Sequence, residues 1–372
     1  MNISKKLFVF GMAVIIFTFY LGIVKKDAMA ASATGVACKA PCINSFEIED
    51  GQVTTTDIAD GAVTGAKMSD GAVSNAKIQD GAVTDAKITG TISSSKIQKP
   101  ANVIVVAKSG GDFTSIQAAI DSINPTADNP YLIKVMPGTY VENVTMKSYI
   151  HLQGAGRDVT TIQGSSGSRV IVNNLINVTI SGFMMTGSGF GIYIDTSSPT
   201  IKDNTFTGNS EGIESRGGEP IITGNRFINN QNDGIWLDSA SPTIADNIFT
   251  GNGMGSNGDG GIAVDNLSSP IITGNKISGN NPDGISDWGW GIPSVTGNVI
   301  TGNSRYGINH QGNSTATIAN NRITGNGGAT YTDIYVRNST PNISFNIYDD
   351  ITGTTGVGSY NVNSNGEPAP AP

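Results

Sequence analysis

The stretch that decides the fold runs SPTIKDNTFTGNSEGIESRG (198–217), EPIITGNRFINNQNDGIWLDSA (219–240), SPTIADNIFTGNG (241–253) and SPIITGNKISGNNPDGISD (269–287). One phrase is being repeated, and its marks extend from about Val178 to Pro341. Asparagine returns at Asn204, Asn225, Asn247, Asn275, Asn298 and Asn321. A second asparagine follows each by five residues, from Asn209 to Asn326. A Gly-Ile pair then recurs at Gly191-Ile192, Gly212-Ile213, Gly234-Ile235, Gly261-Ile262, Gly284-Ile285 and Gly307-Ile308, with a period of 21 to 28 residues. Self-similarity at that spacing predicts a solenoid.

Within each repeat apolar and polar residues alternate, as in Ile192-Tyr193-Ile194-Asp195. A period of two means strand. No segment of the repeat shows a helical period, and leucine is scarce, which excludes helical and leucine-rich repeats. The remaining solution is a coil of short parallel strands joined by Asn/Gly turns, with about 4.8 Å between coils. Inward Ile, Val and Phe then stack continuously. Inward Asn residues form ladders, and corner Asn and Gly tolerate left-handed backbone angles. The fold class is therefore all-β.

These repeats resemble the right-handed parallel β-helix superfamily, the fold of pectin and pectate lyases, from roughly Asn102 to Tyr360. The opening of this region resembles that of pectin methylesterases. The matching pieces are Gly111-Asp112-Phe113 with Ile116-Gln117-Ala118-Ala119-Ile120, Pro137-Gly138-Thr139-Tyr140-Val141-Glu142, and Leu152-Gln153-Gly154-Ala155-Gly156-Arg157. The esterase family's catalytic segments have no counterpart downstream. Nor has the polygalacturonase set, since His310 sits in NHQG. The coil phrase is also similar to that of copper-binding accessory β-helix proteins of nitrous oxide reduction. Two histidines and two cysteines in 372 residues do not make a copper ligand set.

Upstream, Phe113, Ile116, Ile120 and Ile123 fall on one helical face, and Thr114 with Gln117 has capping-box spacing. A short helix here would plug the open end of the solenoid. Residues 48–98 follow a stricter rule: DGQVTTTDIA, DGAVTGAKMS, DGAVSNAKIQ and DGAVTDAKIT are ten residues each, with an apolar residue every fifth position. So thin a stripe builds no core in one chain. The repeat resembles stalks of phage tail fibres, which implies a homotrimer. The alternative is a disordered linker.

The first 30 residues read as an export signal. Lys5 and Lys6 precede an apolar run to Val24, and Ala28-Met29-Ala30 is a small-x-small cleavage site. The run approaches membrane-spanning length, so a retained anchor is the alternative. Either places the chain outside the cytoplasm, secreted or at the cell surface. Cys38 and Cys42, in the leader 31–47, pair as a small disulfide loop or stay as two thiols. The tail 361–372 ends GEPAPAP and reads as disordered or extended. Net charge is -8, which argues against a nucleic-acid partner.

Aligning coils on Gly-Ile places Tyr193, Glu214, Trp236, Ala263, Ser286 and Asn309 in one outward column. Asp195, Arg216, Asp238, Asp265, Trp288 and Gln311 form the next. Aromatic faces stack on sugar rings and carboxylates bond hydroxyls, so this is the candidate polysaccharide site, with Tyr193, Trp236, Trp288 and Trp290 as binding residues. Asp238 and Asp265 lie about 5 Å apart by the coil rise. That suits a retaining glycosidase pair or, joined by Asp259, oxygen ligands of calcium. Asp195 and Asp238, about 10 Å apart by the same rise, lie beyond the range of an inverting pair. A lyase needs a base and a cationic group, types that Glu214, Arg216, Asp238 and Asp265 supply. An ion-pair ladder of Asp195, Arg216 and Asp238 is the bland alternative. Three roles stay open: a glycan-binding surface protein, a polysaccharide lyase or glycosidase, and a structural adhesin contacting proteins.

Overall fold

The computed structural model describes residues 54, 56, 58–68, 102–164, 170–256, 258–311, 315–353, 356–357 and 361–369. The signal segment, Cys38 and Cys42, and the stalk beyond residue 68 lie outside these. The chain divides into two units, Met1–Lys96 and Ile97–Pro372. In the first, the described residues hold a single 3-10 turn, Gly65–Lys67, with Ile58, Val63 and Met68 exposed. Among the described residues no helix is long and apolar enough to cross a membrane.

The second unit is a parallel β-helix. Its described strands form three parallel sheets of 12, 10 and 10 strands, and every coil gives one strand to each sheet through most of its length. One coil shows the plan: Thr200–Lys202 enters the first sheet, Thr205–Thr207 the second and Ile213–Arg216 the third. The middle residue of each short strand points inward. Ile201, Ile222, Ile244 and Ile272 thus stack in register in the first sheet. Phe206, Phe227 and Phe249 stack in the second, with ring centroids 4.9 and 4.6 Å apart. Aromatic pairs of this kind contribute about 0.5–1.5 kcal/mol each beyond the area they bury.

Both asparagine ladders form. In the first, each Nδ2 from Asn204 onward donates to the Oδ1 of the next coil's asparagine and to a core carbonyl. The residue before each ladder asparagine from Asn204 to Asn326 turns left-handed, as at Asp203 (φ 56) and Gly224 (φ 66), which is why Asp, Asn and Gly alternate there. The second ladder runs from Asn209 to Asn326, whose Nδ2 ends on the Asp333 carboxylate. The Gly-Ile pair has a steric reason. A Cβ on Gly212 would lie 2.5 Å from the Gly234 carbonyl oxygen and 2.6 Å from the Phe227 ring.

One expectation is moved. The N-terminal helix spans only Ile116–Asp121, and its N-cap is Ser115, not Thr114. Its free N–H groups are met by a side chain just past the strand Gly138–Val141: Glu142 accepts from Ile116 N at 2.9 Å and Gln117 N at 2.8 Å. Gln117 instead accepts from Thr145 N, clasping the helix to the next turn. The helix packs on the strands Val103–Val106, Tyr131–Val135 and Val144–Thr145, with Ile116, Ala119 and Ile120 buried. At the other end, residues 361–369 are described. Asn361 extends the first ladder by accepting from Asn346 N and donating to Ile343 O, and Ala369 N bonds back to Asn361 O. The buried Asn346 N–H needs an acceptor, and the chain returns to supply one.

Candidate functional site

The outer face of the third sheet carries the candidate residues, and their register is as aligned from Gly-Ile. Tyr193 pairs with Glu214, Glu214 with Trp236, Trp236 with Ala263, Ala263 with Ser286 and Ser286 with Asn309. Asp195, Arg216, Asp238 and Asp265 run beside them in the same order.

Facing outward does not leave these residues exposed. Glu214, Ala263, Ser286 and Asn309 are buried. Long neighbours lie over them. Arg216 donates from Nε to Glu214 Oε1 at 2.6 Å, while its guanidinium lies 5.9 Å from the Tyr193 ring centroid and 5.4 Å from that of Trp236. The result is a cation between two rings, set on a carboxylate only 1% exposed. Burial opposes the charge on Arg216, but the Glu214 bond and charge outweigh it and raise its pKa. The expected ion-pair ladder is therefore replaced: Arg216 pairs two residues back along its own strand.

Asp238 and Asp265 sit side by side, each already engaged. Asp238 Oδ1 accepts from Asn266 Nδ2 and Ser239 Oγ, and Asp265 Oδ2 accepts from Trp236 Nε1 at 2.7 Å. That bond leaves Trp236 half-buried. Burial raises the Asp265 pKa, with Asp238 and Asp287 adding to it against the Trp236 bond. Trp288 and Trp290 are exposed, Trp290 at 67%, on the turn that leaves this sheet. Among the described residues no group of three or more acidic, His or Cys side chains is placed to hold a metal ion, so Asp238, Asp259 and Asp265 do not form such a group.

Reading outward from Gly-Ile missed the residue before it. That column holds Glu211, Asp233, Asp283 and Tyr306, with Asp259 one place earlier in an enlarged coil. Asp283 is fully buried and takes a two-pronged bond from Arg305, at 2.9 Å from Nε and 2.6 Å from Nη2, plus bonds from Tyr306 N and Asn309 Nδ2. Tyr306 stacks on Tyr335 at 4.7 Å and meets Tyr331 edge-on at 5.4 Å, an aromatic cluster next to this ion pair. Asp233 Oδ1 accepts from Asp259 N and Gly260 N, both at 2.8 Å. Burial, with the charges of Asp259 and Glu211, pushes its carboxyl up to about 8 against those two bonds. Asp259 is likewise raised, by burial first and then by Asp265 and Asp283, with Arg305 opposing.

One further pair lies inside the solenoid. Asp287 and His310 occupy the inward position that Ile194, Leu237 and Val264 fill on earlier coils. His310 Nδ1 and Asp287 Oδ2 are 2.5 Å apart, both buried, and Asp287 Oδ1 also accepts from Gly289 N. The alignment could have shown both as polar residues at an apolar position.

The family model described as "Right handed beta helix region" matches residues 138–300 and again 255–367. The chain belongs to this family. A pectinesterase of Aspergillus niger is 32% identical over 91 residues, covering 24% of this chain and 25% of that protein. A cell surface glycoprotein of Methanothermus fervidus is 35% identical over 95 residues, covering 25% of this chain and 16% of that one. The chain thus spans a quarter or less of either relative. Among solved structures, the Dettilon tailspike protein is similar at TM-score 0.49 and 18% identity, covering 72% of this chain and 68% of its own. An alginate lyase from Paenibacillus is similar at TM-score 0.47 and 13% identity, covering 72% and 97%.

Proposed function

We propose that this β-helix engages an extracellular polysaccharide along the outer face of its third sheet, by binding, from a secreted or surface-held position. The observation that carries the reading is Arg216 held by buried Glu214 between the rings of Tyr193 and Trp236. It presets a flat face of two aromatics and a cation, at little further cost in side-chain entropy on binding. Exposed Trp288 and Trp290 extend the aromatic surface toward the later coils.

The test is retention of the full chain on a panel of immobilised polysaccharides. Trp236→Ala is expected to weaken binding to the retained glycan by roughly tenfold or more, the loss typical of a central aromatic anchor. Unchanged retention in that variant would remove the face from consideration. New reducing ends and unsaturated products are followed on the same samples, because Asp238 and Asp265 in register favour a second reading, a lyase or glycosidase using Glu214, Arg216, Asp238 and Asp265. For an enzyme, Asp238→Asn with Asp265→Asn abolishes turnover; for a binding protein there is none to abolish. Failure of both assays favours the structural adhesin.

The ten-residue repeats support a homotrimer. Light scattering on residues 31–372 is expected to give three times the monomer mass; a monomer at micromolar concentration rules the trimeric stalk out.

A further inference from the structure

Aromatic rings come to the outer face of the third sheet at a regular interval, and that interval bears on the linkage of the glycan. The inference rests on the binding role proposed above. Strand pairing advances one coil at a time through Tyr193, Glu214, Trp236, Ala263, Ser286, Asn309 and Tyr335. An aromatic stands at the first, third and last of these. At the fifth, buried Ser286 accepts the indole N–H of Trp288 at 2.8 Å, so Trp288 supplies the ring over that coil. The coils between carry nothing that projects: Glu214, Ala263 and Asn309 are each no more than 1% exposed. A ring therefore reaches the surface at every second coil, roughly 10 Å apart by the coil rise.

Each ring is held in place by its neighbours. Tyr193 and Trp236 flank Arg216, and Trp236 Nε1 donates to Asp265. Trp288 is tied to Ser286, and Tyr335 stacks on Tyr306 at 4.7 Å. Rings fixed on a hydrogen-bonded ladder do not slide to follow a ligand, so the ligand has to match their interval. In an extended, diequatorially 1,4-linked pyranose chain each sugar advances by about one coil spacing and turns by half a revolution. Like faces then return every second sugar, at the interval of the rings. A chain with an axial linkage coils away from a straight row. Charge narrows the choice further. Asp195, Asp238 and Asp265 run beside the rings, and Arg216 among them is already paired with Glu214. A polyuronate would meet those carboxylates with no unpaired cation in that column before Arg337, at its far end. We infer that Tyr193, Trp236, Trp288 and Tyr335 form a track for an uncharged, diequatorially 1,4-linked glycan lying along the solenoid axis, with every second sugar stacked on a ring.

The test measures binding of the full chain to β-1,4-linked gluco-oligosaccharides of increasing length. The α-1,4-linked series of the same lengths differs in linkage alone and is measured beside it, with oligogalacturonate. Affinity for the β series is expected to rise in steps of two sugars, about fivefold or more for each ring added. It levels off at about seven sugars, the length that reaches all four rings. The α series and oligogalacturonate are expected to bind about tenfold or more weaker at that length. Trp288→Ala is expected to leave the trisaccharide within about twofold of the parent, since Tyr193 and Trp236 still serve it, and to remove the step that its ring supplies. Phe345→Ala, an exposed aromatic on the corner between the first and second sheets, is expected to leave the whole series unchanged. A smooth rise with length, equal binding of the α series, tighter binding of oligogalacturonate, no binding of the β series, or equal effects of the two variants would overturn the inference. Each of those results leaves the binding role standing if Trp236→Ala still weakens retention on another glycan. Retention of no polysaccharide in the wider panel sinks the binding role and this inference together.

Discussion

Asn275→Ala is expected to lower stability by roughly 3–6 kcal/mol, since two or more buried backbone or amide groups lose their partners at about 1–3 kcal/mol each. Asn275 Oδ1 accepts from Asn247 N at 2.9 Å and Asn247 Nδ2 at 3.0 Å. Its Nδ2 donates to Ile244 O at 2.9 Å, Thr273 O at 3.0 Å and Asn298 Oδ1 at 3.0 Å. Alanine removes all five and breaks the ladder in its middle, where no solvent reaches the orphaned groups. Coils couple to their nearest neighbours, so the damage should be local at first. Amide exchange at Asn247 and in the coils on either side should accelerate before global unfolding. Thr273→Ala, on the outward side of the strand that ends just before Asn275, is the control, expected within about 0.5 kcal/mol of the parent. A loss below about 1 kcal/mol for Asn275→Ala would show that the ladder is not what holds the coils in register.

Asp233→Asn is expected to act in the opposite direction at alkaline pH. The Asp233 carboxyl is raised from 3.8 to about 8, by burial first and then by Asp259 and Glu211. The folded state therefore keeps a proton that the unfolded chain releases. Its stabilising contribution is complete below 3.8 and is lost as pH rises to about 8. The slope across that window is one proton, about 1.4 kcal/mol per pH unit. Asparagine is isosteric with the protonated acid and keeps the Oδ1 bonds from Asp259 N and Gly260 N. The variant should show a flatter stability profile and, above the window, exceed the parent by several kcal/mol, on the order of 1.4 for each unit crossed. Urea unfolding at a series of pH values measures this directly. Parallel profiles for parent and variant would mean that Asp233 ionises normally in the folded chain.

Much of this architecture was legible in the residues. A solenoid repeats one solution, so each coil writes the same demand: a ladder Asn, an inward Ile or Phe, a Gly where the next ring needs room. Gly-Ile alone aligned the strands of the third sheet correctly from Tyr193 to Asn309. The reading weakened where the phrase decays. Asn346 and Asn361 extend the first ladder from TPNISFN and from beyond Tyr360, where the spacing no longer matches. The cap failed for a related reason: Glu142, far along the chain, satisfies N–H groups that a local capping box was expected to meet.

At the site, pattern and environment part company. Alternation says that Glu214 and Ser286 face away from the core, and they do. It does not say that Arg216 folds back over one, or that Trp288 donates its indole N–H to the other. Nor does it say that Asp259 and Glu211 come close enough to Asp233 for their charges to act on it, while Asp283 is paired with Arg305. The sequence by itself determined the coil, its period, its ladders and the column each side chain belongs to, because backbone pairing and apolar burial depend on residue type at fixed spacing. Only the tertiary structure decided which outward residues are covered and which charges are answered. Those outcomes depend on where long side chains on neighbouring coils come to rest, a matter of distances near 3 Å that no one-dimensional spacing encodes.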